Sequence, residues 1–409
     1  KSLDYVAGWF MKAADYGRYT PTVAAFVSTN SICQGQQVPI LWPLIFETGH
    51  EIVFAHTSFK WANLASHNAG VTVVIIGISN QPGKMRQLFS LSVNDSPMVK
   101  EVENINAYLV SGPNVVVSKA PIPLCGQAAI DYGNKPTDDG GLILSPLDRK
   151  NLVESSPWLE CFIRRFIGSS DSIDGSRRYC LWINDNELDI VKAHENIASR
   201  LESVRLFRKS SSKQATVDAG DYPHRFQEIR QIGIEVPIVV PRHSSENREY
   251  LPFSLGVKGD IVADSAFAFY ECPLWNLALF ASRLHLVWVA SVCGKIKTDY
   301  RFSNTLGWNT FPIPTLTEKN KADLTRCAED ILLAREAHFP ATIADLYDQD
   351  TMPANLREAH ERNDEVLERT YIGRRFRNDT ERLEKLFELY TKMTATSGSD
   401  KKRKAGAST

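Results

Sequence analysis

The segment from Ser282 to Pro314 constrains the fold more than any other stretch, because an apolar helix pattern passes directly into a basic and aromatic turn. Apolar residues spaced three and four positions apart predict one buried helix face. Gly294 interrupts that face, and Pro312 and Pro314 make the exit rigid because each proline fixes its own φ angle. The polar residues between them include Lys295, Lys297, Tyr300 and Arg301.

The residues alone leave two interpretations of this turn open. Cations favour the C-terminal end of a helix because they interact with its dipole, so the turn fits a core helix with a solvated basic cap. The other interpretation is a surface facing nucleic acid, with the cations on phosphates and Tyr300 stacked on a base. The sequence therefore predicts either a structural helix end or a nucleic-acid contact here.

Composition narrows the class of protein. The 409 residues suffice for two or three domains with separate cores. Seven cysteines occur without a CxxC pair or zinc-ligand spacing, which is typical of reduced thiols in a cytoplasmic protein. The longest apolar run, Val71–Ile78, is too short to span a bilayer. We therefore expect a cytoplasmic protein with neither a metal site nor a membrane segment. Because the net charge of the whole chain is −1, any DNA-binding face must come from a local cluster of basic residues.

Residues 1–95 carry the pattern of an α/β unit. A helix is predicted at Leu3–Tyr16, followed by a buried strand at Val23–Val27 and a weaker helix signal interrupted by two prolines. Strands are predicted next at Glu51–Ala55 and Val71–Ile78. The order of helices and strands predicts an α/β sheet whose last two strands form a hairpin.

Residues 96–314 combine short strands, loops and a cluster of basic side chains, which predicts an α+β domain that binds DNA. Arginine binds phosphates and guanine edges, and glutamine can pair with adenine edges. A single arginine is more often a solvated surface residue, so the prediction depends on the cluster. Its candidate members, besides the turn after Gly294, are Arg164, Arg177, Arg178, Arg230, Gln231, Arg242, Ser244, Ser245, Arg248 and Tyr250.

The remainder of the chain is predicted to be helical at 315–395, because apolar residues recur at helical spacing between charged ones. Residues 396–409 are small and charged, and they include a run of four cations at 401–404. We expect this tail to be disordered.

Seven motifs resemble, in the same order, those of the MmeI-like single-chain restriction–modification enzymes. These enzymes join an endonuclease, an adenine methyltransferase and a target-recognition domain in one polypeptide. The resemblance covers nearly the whole chain. The motifs are AFVSTNSICQGQQV (Ala25–Val38), FAHTSFKWAN (Phe54–Asn63), the region Gly133–Ser145, RRYCLWI (Arg177–Ile183), PHRFQEIRQ (Pro223–Gln231), VVPRHSSENREYLP (Val239–Pro252) and LYDQDTMPANLREAH (Leu346–His360).

This resemblance implies a domain organisation and a partner. Residues 1–95 would be the rear part of a Rossmann-like S-adenosylmethionine-dependent methyltransferase domain, 96–314 the target-recognition domain and 315–395 a helical C-terminal domain. The whole enzyme would transfer a methyl group from S-adenosylmethionine to N6 of an adenine flipped out of double-stranded DNA.

The resemblance also implies site residues. Phe59, Lys60 and Trp61, placed in the loop between the two predicted strands of the hairpin, would form a wall beside the flipped base. Asp4 and Tyr5 would border the cofactor.

The sequence departs from the family pattern in two respects. It contains neither a strand–GxG–helix turn for the cofactor nor the Pro-Pro-aromatic loop that holds a flipped base. We therefore expect a fragment without catalytic residues of its own, which needs the N-terminal part of the same polypeptide for turnover. Two alternatives stay open: a stand-alone DNA-specificity subunit, and an interaction protein whose arginines pair with acidic partners.

Overall fold

The computed structural model describes residues 3–61, 71–91, 96–296 and 298–405. For residues 396–405 it describes the backbone alone, and Lys297 lies outside the described residues. Within the described ranges, no helix combines the length and the apolar character that crossing a membrane requires.

The first part of the chain forms a five-stranded sheet with the strand order β1-β3-β2-β4-β5. Since β3 is antiparallel to both of its neighbours, β1 and β2 run in the same direction, and α2 connects them. The predicted α/β class is therefore confirmed. The elements are α1 (Tyr5–Gly17), β1 (Val23–Thr29), α2 (Gln37–Glu47), β2 (Glu51–Lys60), β3 (Thr72–Ser79), β4 (Arg86–Leu91) and β5 (Pro97–Val102).

The strand β1 is less buried than the sequence predicted. The sequence predicted a buried strand, but Val23 and Val27 are exposed. β1 forms the outer edge of the sheet, and its described hydrogen-bonded neighbour is β3. An apolar β-branched run signals a strand, but it does not specify which element covers each face.

The middle part of the chain consists of three small sheets surrounded by short helices. Their strand orders are β12-β10-β14-β6, β13-β8-β9-β7 and β11-β16-β15. The elements are β6 (Asp131–Tyr132), β7 (Ile143–Leu144), α3 (Pro146–Ser155), β8 (Ile163–Ile167), α4 (Ser169–Asp174), β9 (Arg178–Leu181), α5 (Leu188–Lys192), α6 (Glu195–Lys209), α7 (Gln214–Ala219), β10 (Ile238–Pro241), β11 (His243–Ser244), β12 (Ser254–Leu255), β13 (Ile261–Val262), β14 (Ala266–Phe269), α8 (Leu274–Phe280), α9 (Arg283–Val292), β15 (Lys295–Ile296) and β16 (Asp299–Arg301).

Helix α9 is the predicted apolar helix, and it lies in the core. Trp288 is fully buried, and its indole Nε1 donates a hydrogen bond to Thr310 Oγ1 at 3.1 Å. His285 is also buried, and its Nδ1 lies 3.0 Å from the carbonyl oxygen of Phe280. Burial lowers the pKa of His285 to about 4, so the imidazole is neutral and compatible with an apolar core.

The C-terminal part is helical, as predicted. Its helices are α10 (Glu318–Glu336), α11 (Ile343–Leu346), α12 (Ala354–Ile372) and α13 (Asp379–Ala405). The sequence predicted disorder for 396–409, whereas α13 continues through 396–405. Extending a helix adds one hydrogen bond per residue without the cost of a new nucleus, so a polar segment can continue a helix that is already packed. Residues 406–409 lie outside the described ranges.

A buried polar network joins the C-terminal helices to the middle part. Tyr250 donates a hydrogen bond from its hydroxyl to Asp364 Oδ2 at 3.0 Å, and the backbone N–H of Arg283 donates to Asp364 Oδ1 at 2.7 Å. The Tyr250 ring stacks on the imidazole of His360 with centroids 4.1 Å apart. Burial raises the pKa of Asp364 to about 7, because the charged form loses its hydration.

This raised pKa predicts a pH-dependent stability. A carboxyl group whose pKa is higher in the folded state stabilises that state at low pH and loses its contribution as pH rises through the folded value. Between pH 6 and pH 8 we expect the free energy of unfolding to fall by about 1 kcal/mol more in the wild type than in Asp364→Asn. Urea unfolding of both proteins measures this, and a gap between them that stays constant with pH would contradict it.

Candidate nucleic-acid interface

The sheet β11-β16-β15 brings together the two segments that the sequence singled out for DNA binding. His243 pairs with Arg301 and Ser244 pairs with Tyr300, while Lys295 pairs with Tyr300 on the other side. Segments separated by some fifty residues in sequence thus form one surface unit. The turn after α9 is therefore a β-hairpin, β15–β16, and not a simple helix cap.

Side chains of the sheet β11-β16-β15 point both outward and inward. Arg301 and His243 are exposed, whereas Tyr300 is half-buried. The ammonium group of Lys295 lies 4.9 Å from the centre of the Tyr300 ring and 3.5 Å from the carboxylate of Glu246. Lys295 is therefore already engaged, and of the two hairpin cations that the structure describes Arg301 is the one free to reach a ligand.

The aromatic wall predicted at Phe59–Trp61 is in a different setting from the expected loop. Strand β2 continues through Lys60 because, beyond a bulge, Phe59 pairs with Val73 and Lys60 with Thr72. Phe59 is half-buried, Lys60 is exposed, and Trp61 is 41% exposed just after the strand. The rings of Phe59 and Trp61 lie 6.4 Å apart. The predicted loop residues are thus presented by the end of a strand.

A cleft of about 850 Å³ connects this strand to the hairpin. Its lining includes Ser58, next to Phe59, and Tyr300 from β16. Lys100 from β5, Arg283 from α9 and Arg377 from the loop before α13 also face it. The sequence predictions missed Lys100 and Arg377, although the run Arg374-Arg375-Phe376-Arg377 could have signalled the latter.

The two residues predicted to border a cofactor lie at the start of α1, where Asp4 contacts the end of β1. The Asp4 carboxylate accepts hydrogen bonds from the hydroxyls of Ser31 and Thr29, the latter at 3.4 Å. The bond from Ser31 is the main reason that the pKa of Asp4 lies below its ordinary value. Tyr5 is 87% exposed and begins α1.

Four of the predicted DNA contacts are placed in the interior or in ion pairs. Gln231, Ser244 and Tyr250 are buried, so they face the core. Arg178 donates from Nε to both carboxylate oxygens of Asp171, at 3.0 and 3.1 Å, and this pairing raises the pKa of the guanidinium. Burial or pairing inside the protein therefore gives these four side chains a role in the fold.

The other basic candidates divide by exposure. Arg177 and Arg230 are exposed, and Arg230 lies 3.2 Å from Glu228. Arg164 is half-buried, and so are Arg242, Ser245 and Arg248. Arg242 donates from Nη1 to the Asp264 carbonyl oxygen at 3.1 Å, and its guanidinium carbon lies 5.3 Å from the centre of the Phe267 ring. Burial lowers the pKa of Arg248. Arg242 is thus chiefly a packing residue.

Comparison with known families identifies the class of domains that this fold contains, a DNA-methyltransferase domain joined to a target recognition domain. Family models match residues 1–90 (MmeI, DNA-methyltransferase domain), 111–315 (MmeI, target recognition domain) and 316–397 (MmeI, C-terminal domain). The chain belongs to the MmeI family. The resemblance predicted from the sequence motifs is confirmed.

Two relatives illustrate this membership. DNA methyltransferase A of Bacillus subtilis (strain 168) is 39% identical over 394 residues, which cover 96% of this chain and 44% of the relative. The solved structure of the Type IIL restriction-modification enzyme MmeI in complex with DNA matches with a TM-score of 0.83 and 34% identity, covering 96% of this chain and 53% of that one. The chain therefore spans about half the length of these relatives.

The neighbours Arg230 and Gln231 provide a test of which candidates support the fold. Gln231 Oε1 accepts hydrogen bonds from Asn134 Nδ2 and the Val262 N–H, both at 2.9 Å. Gln231→Ala leaves both donors unsatisfied, so we expect the free energy of unfolding to fall by about 2 kcal/mol. The exposed control Arg230→Ala should change it by less than about 0.5 kcal/mol. Equal effects of the two variants in urea unfolding would contradict this assignment.

Proposed function

We propose that this chain is the DNA sequence-recognition part of an adenine-specific DNA methyltransferase of a restriction–modification system. The whole polypeptide would transfer a methyl group from S-adenosylmethionine to N6 of an adenine extruded from double-stranded DNA. The membership in the MmeI family supports the class of enzyme, and the solved relative bound to DNA supports the partner. The remainder of the catalytic site would come from the N-terminal part of the same polypeptide.

The main support for this proposal is the cleft that β2 and the hairpin share. Ser58, beside the aromatic residues at the end of β2, and Tyr300, in the hairpin, line the same space. A base extruded from a duplex needs an aromatic surface on which to stack, while the remaining duplex needs contacts in a groove and on its phosphates. Tyr300 supplies an aromatic ring to this lining, while Phe59 and Trp61 follow Ser58 along the chain, and Arg301 follows Tyr300, without lining the cleft themselves.

The described residues do not form a cofactor cradle by themselves. Asp4 is already bound to Ser31 and Thr29, and Tyr5 projects from the first turn of α1 into solvent. A nucleoside cofactor on a Rossmann-like sheet is usually held by a glycine-rich turn and an acidic residue that binds its ribose. We therefore propose S-adenosylmethionine as the cofactor of the whole polypeptide and assign no step of the reaction to Asp4 or Tyr5.

A methyl-transfer assay tests whether this chain needs the rest of the polypeptide for catalysis. The 409 residues contain neither a glycine-rich cofactor turn nor a Pro-Pro-aromatic loop, so the positioned acceptor for the adenine amino group is missing. We expect the isolated chain to incorporate no radioactive methyl group from labelled S-adenosylmethionine into mixed-sequence duplex DNA. Incorporation above that of a protein-free control would show that the chain is catalytically complete.

Arg301 tests whether the hairpin contacts DNA. Removing a phosphate contact weakens binding to all sequences and lowers the slope of log K against log salt by about 0.9, whereas removing a bidentate base contact costs about 1–3 kcal/mol at one position of the site. We expect Arg301→Ala to have one of these two effects on duplex binding by the chain. The exposed control Arg326→Ala, on α10, should have neither. Unchanged affinity and slope for Arg301→Ala would remove the hairpin cation from the interface.

A further inference from the structure

The loop between α12 and α13 carries a concentration of positive charge that lies outside the cluster predicted from the sequence. Residues 373–378, with the sequence GRRFRN, form this segment, which we call the arginine loop. It contains three arginines and no carboxylate. It precedes α13, a helix of 27 residues whose N-terminal end carries the positive end of its dipole.

The arginine loop is held in one conformation by contacts of its own. Gly373 adopts a φ of 76°, the left-handed conformation that ends α12 and that glycine takes without steric cost. Phe376 is buried, and its backbone N–H donates a hydrogen bond to Glu368 Oε2 at 2.7 Å. Asn378 Oδ1 accepts a hydrogen bond from the backbone N–H of Glu381 at 2.9 Å, at the start of α13. The arginines around Phe376 are therefore displayed from a rigid turn.

The charge of the loop is only partly neutralised. Arg374 and Arg377 both pair with Glu381, at 2.6 and 3.2 Å. Hydrogen bonds from Arg374, above all, lower the pKa of Glu381 to about 2, so this carboxylate is ionised. Arg375 is exposed and forms no ion pair with any residue that the structure describes. Two of the three cations thus share one anion, the third has no described ion-pair partner, and the Arg377 side chain remains 79% exposed.

The location of the loop connects it to the DNA cleft. Arg377 and Asn378 line the same space as Ser58 and Tyr300. The other carboxylates of this wall are already neutralised: Asp379 lies 2.6 Å from Arg283, and Glu384 lies 2.6 Å from Lys100. The charged lining residues therefore balance, with Lys100, Arg283 and Arg377 against Asp379, Glu381 and Glu384, and the surplus positive charge beside this wall comes from Arg374 and Arg375 of the arginine loop.

We propose that the arginine loop of the C-terminal helical part is a further DNA contact, in which Arg375 and Arg377 bind backbone phosphates of the duplex held in the cleft. This inference rests on the proposed function. Guanidinium groups bind phosphate oxygens through two parallel hydrogen bonds, and a helix N-terminus adds a favourable field for an anion. A phosphate contact carries no sequence information, so the loop would position the duplex while the hairpin reads it.

Salt-dependent binding of mixed-sequence duplex DNA by the full 409-residue chain tests this proposal. Removing one phosphate contact should lower the slope of log K against log salt by about 0.9. We expect this decrease in Arg375→Ala and in Arg377→Ala and about twice that decrease in the double variant, with the same effect on every duplex sequence. Arg375→Lys should keep most of the slope because it keeps the charge.

The controls separate this proposal from the proposed function. Arg326→Ala, which removes an exposed arginine of α10, should bind as the wild type does. Thermal unfolding of Arg375→Ala should match the wild type, since its side chain forms no described ion pair. If the wild-type chain binds DNA but the double variant keeps the wild-type slope and affinity, the arginine loop is not a DNA contact. If the wild-type chain binds no duplex at any salt concentration, the proposed function fails, and this inference fails with it.

Discussion

The packing of Trp288 is the contact on which the arrangement of the three parts depends. Its ring lies 5.1 Å from that of Phe387 and 5.6 Å from that of Tyr390, both on α13. The same continuous core extends to Phe10 and Trp42 in the first part of the chain. Because the hairpin β15–β16 follows directly after the helix that carries Trp288, burial of this helix also sets where the exposed strand pair lies relative to the cleft. Apolar packing, which has no sequence-reading role, thereby determines the geometry of the polar face.

Local patterns predicted several of the helices and strands but not what covers them. The helix with Trp288 was predicted from apolar spacing, since periodicity is a local property of the chain. The burial of β1 was predicted wrongly, because an edge strand and a central strand can have the same apolar composition. The end of β2 was missed for a similar reason: Phe59 and Lys60 belong to the strand only because Val73 and Thr72 pair with them. Pairing between segments that are distant along the chain cannot be predicted from a short stretch of sequence.

In the candidate site, too, the sequence did not predict which individual side chains are exposed. A cluster of arginines and polar residues predicted a DNA-binding region but not the direction of each side chain, since His243 is exposed and its neighbour Ser244 is buried. One residue of register decides whether a polar side chain faces solvent or satisfies buried donors, and that register is set by the hydrophobic pattern of the whole sheet. The arginine loop is visible in the sequence as a basic run, but only folding shows that Arg377 reaches the cleft.

The hairpin is anchored by its backbone, so its position is independent of the side chains that it exposes. Its backbone is held by hydrogen bonds from the Arg301 N–H to the Gly294 carbonyl and from the Phe302 N–H to the Arg242 carbonyl, both at 2.9 Å. These bonds do not depend on which side chains stand at the exposed positions. Tyr250, which follows β11, is fixed separately through Asp364, and Arg283 joins Asp364 to the start of α13 through Asp379. Exposed residues of the hairpin can therefore change with little cost in stability, whereas a change in the Asp364 network would shift the hairpin sheet and the arginine loop together.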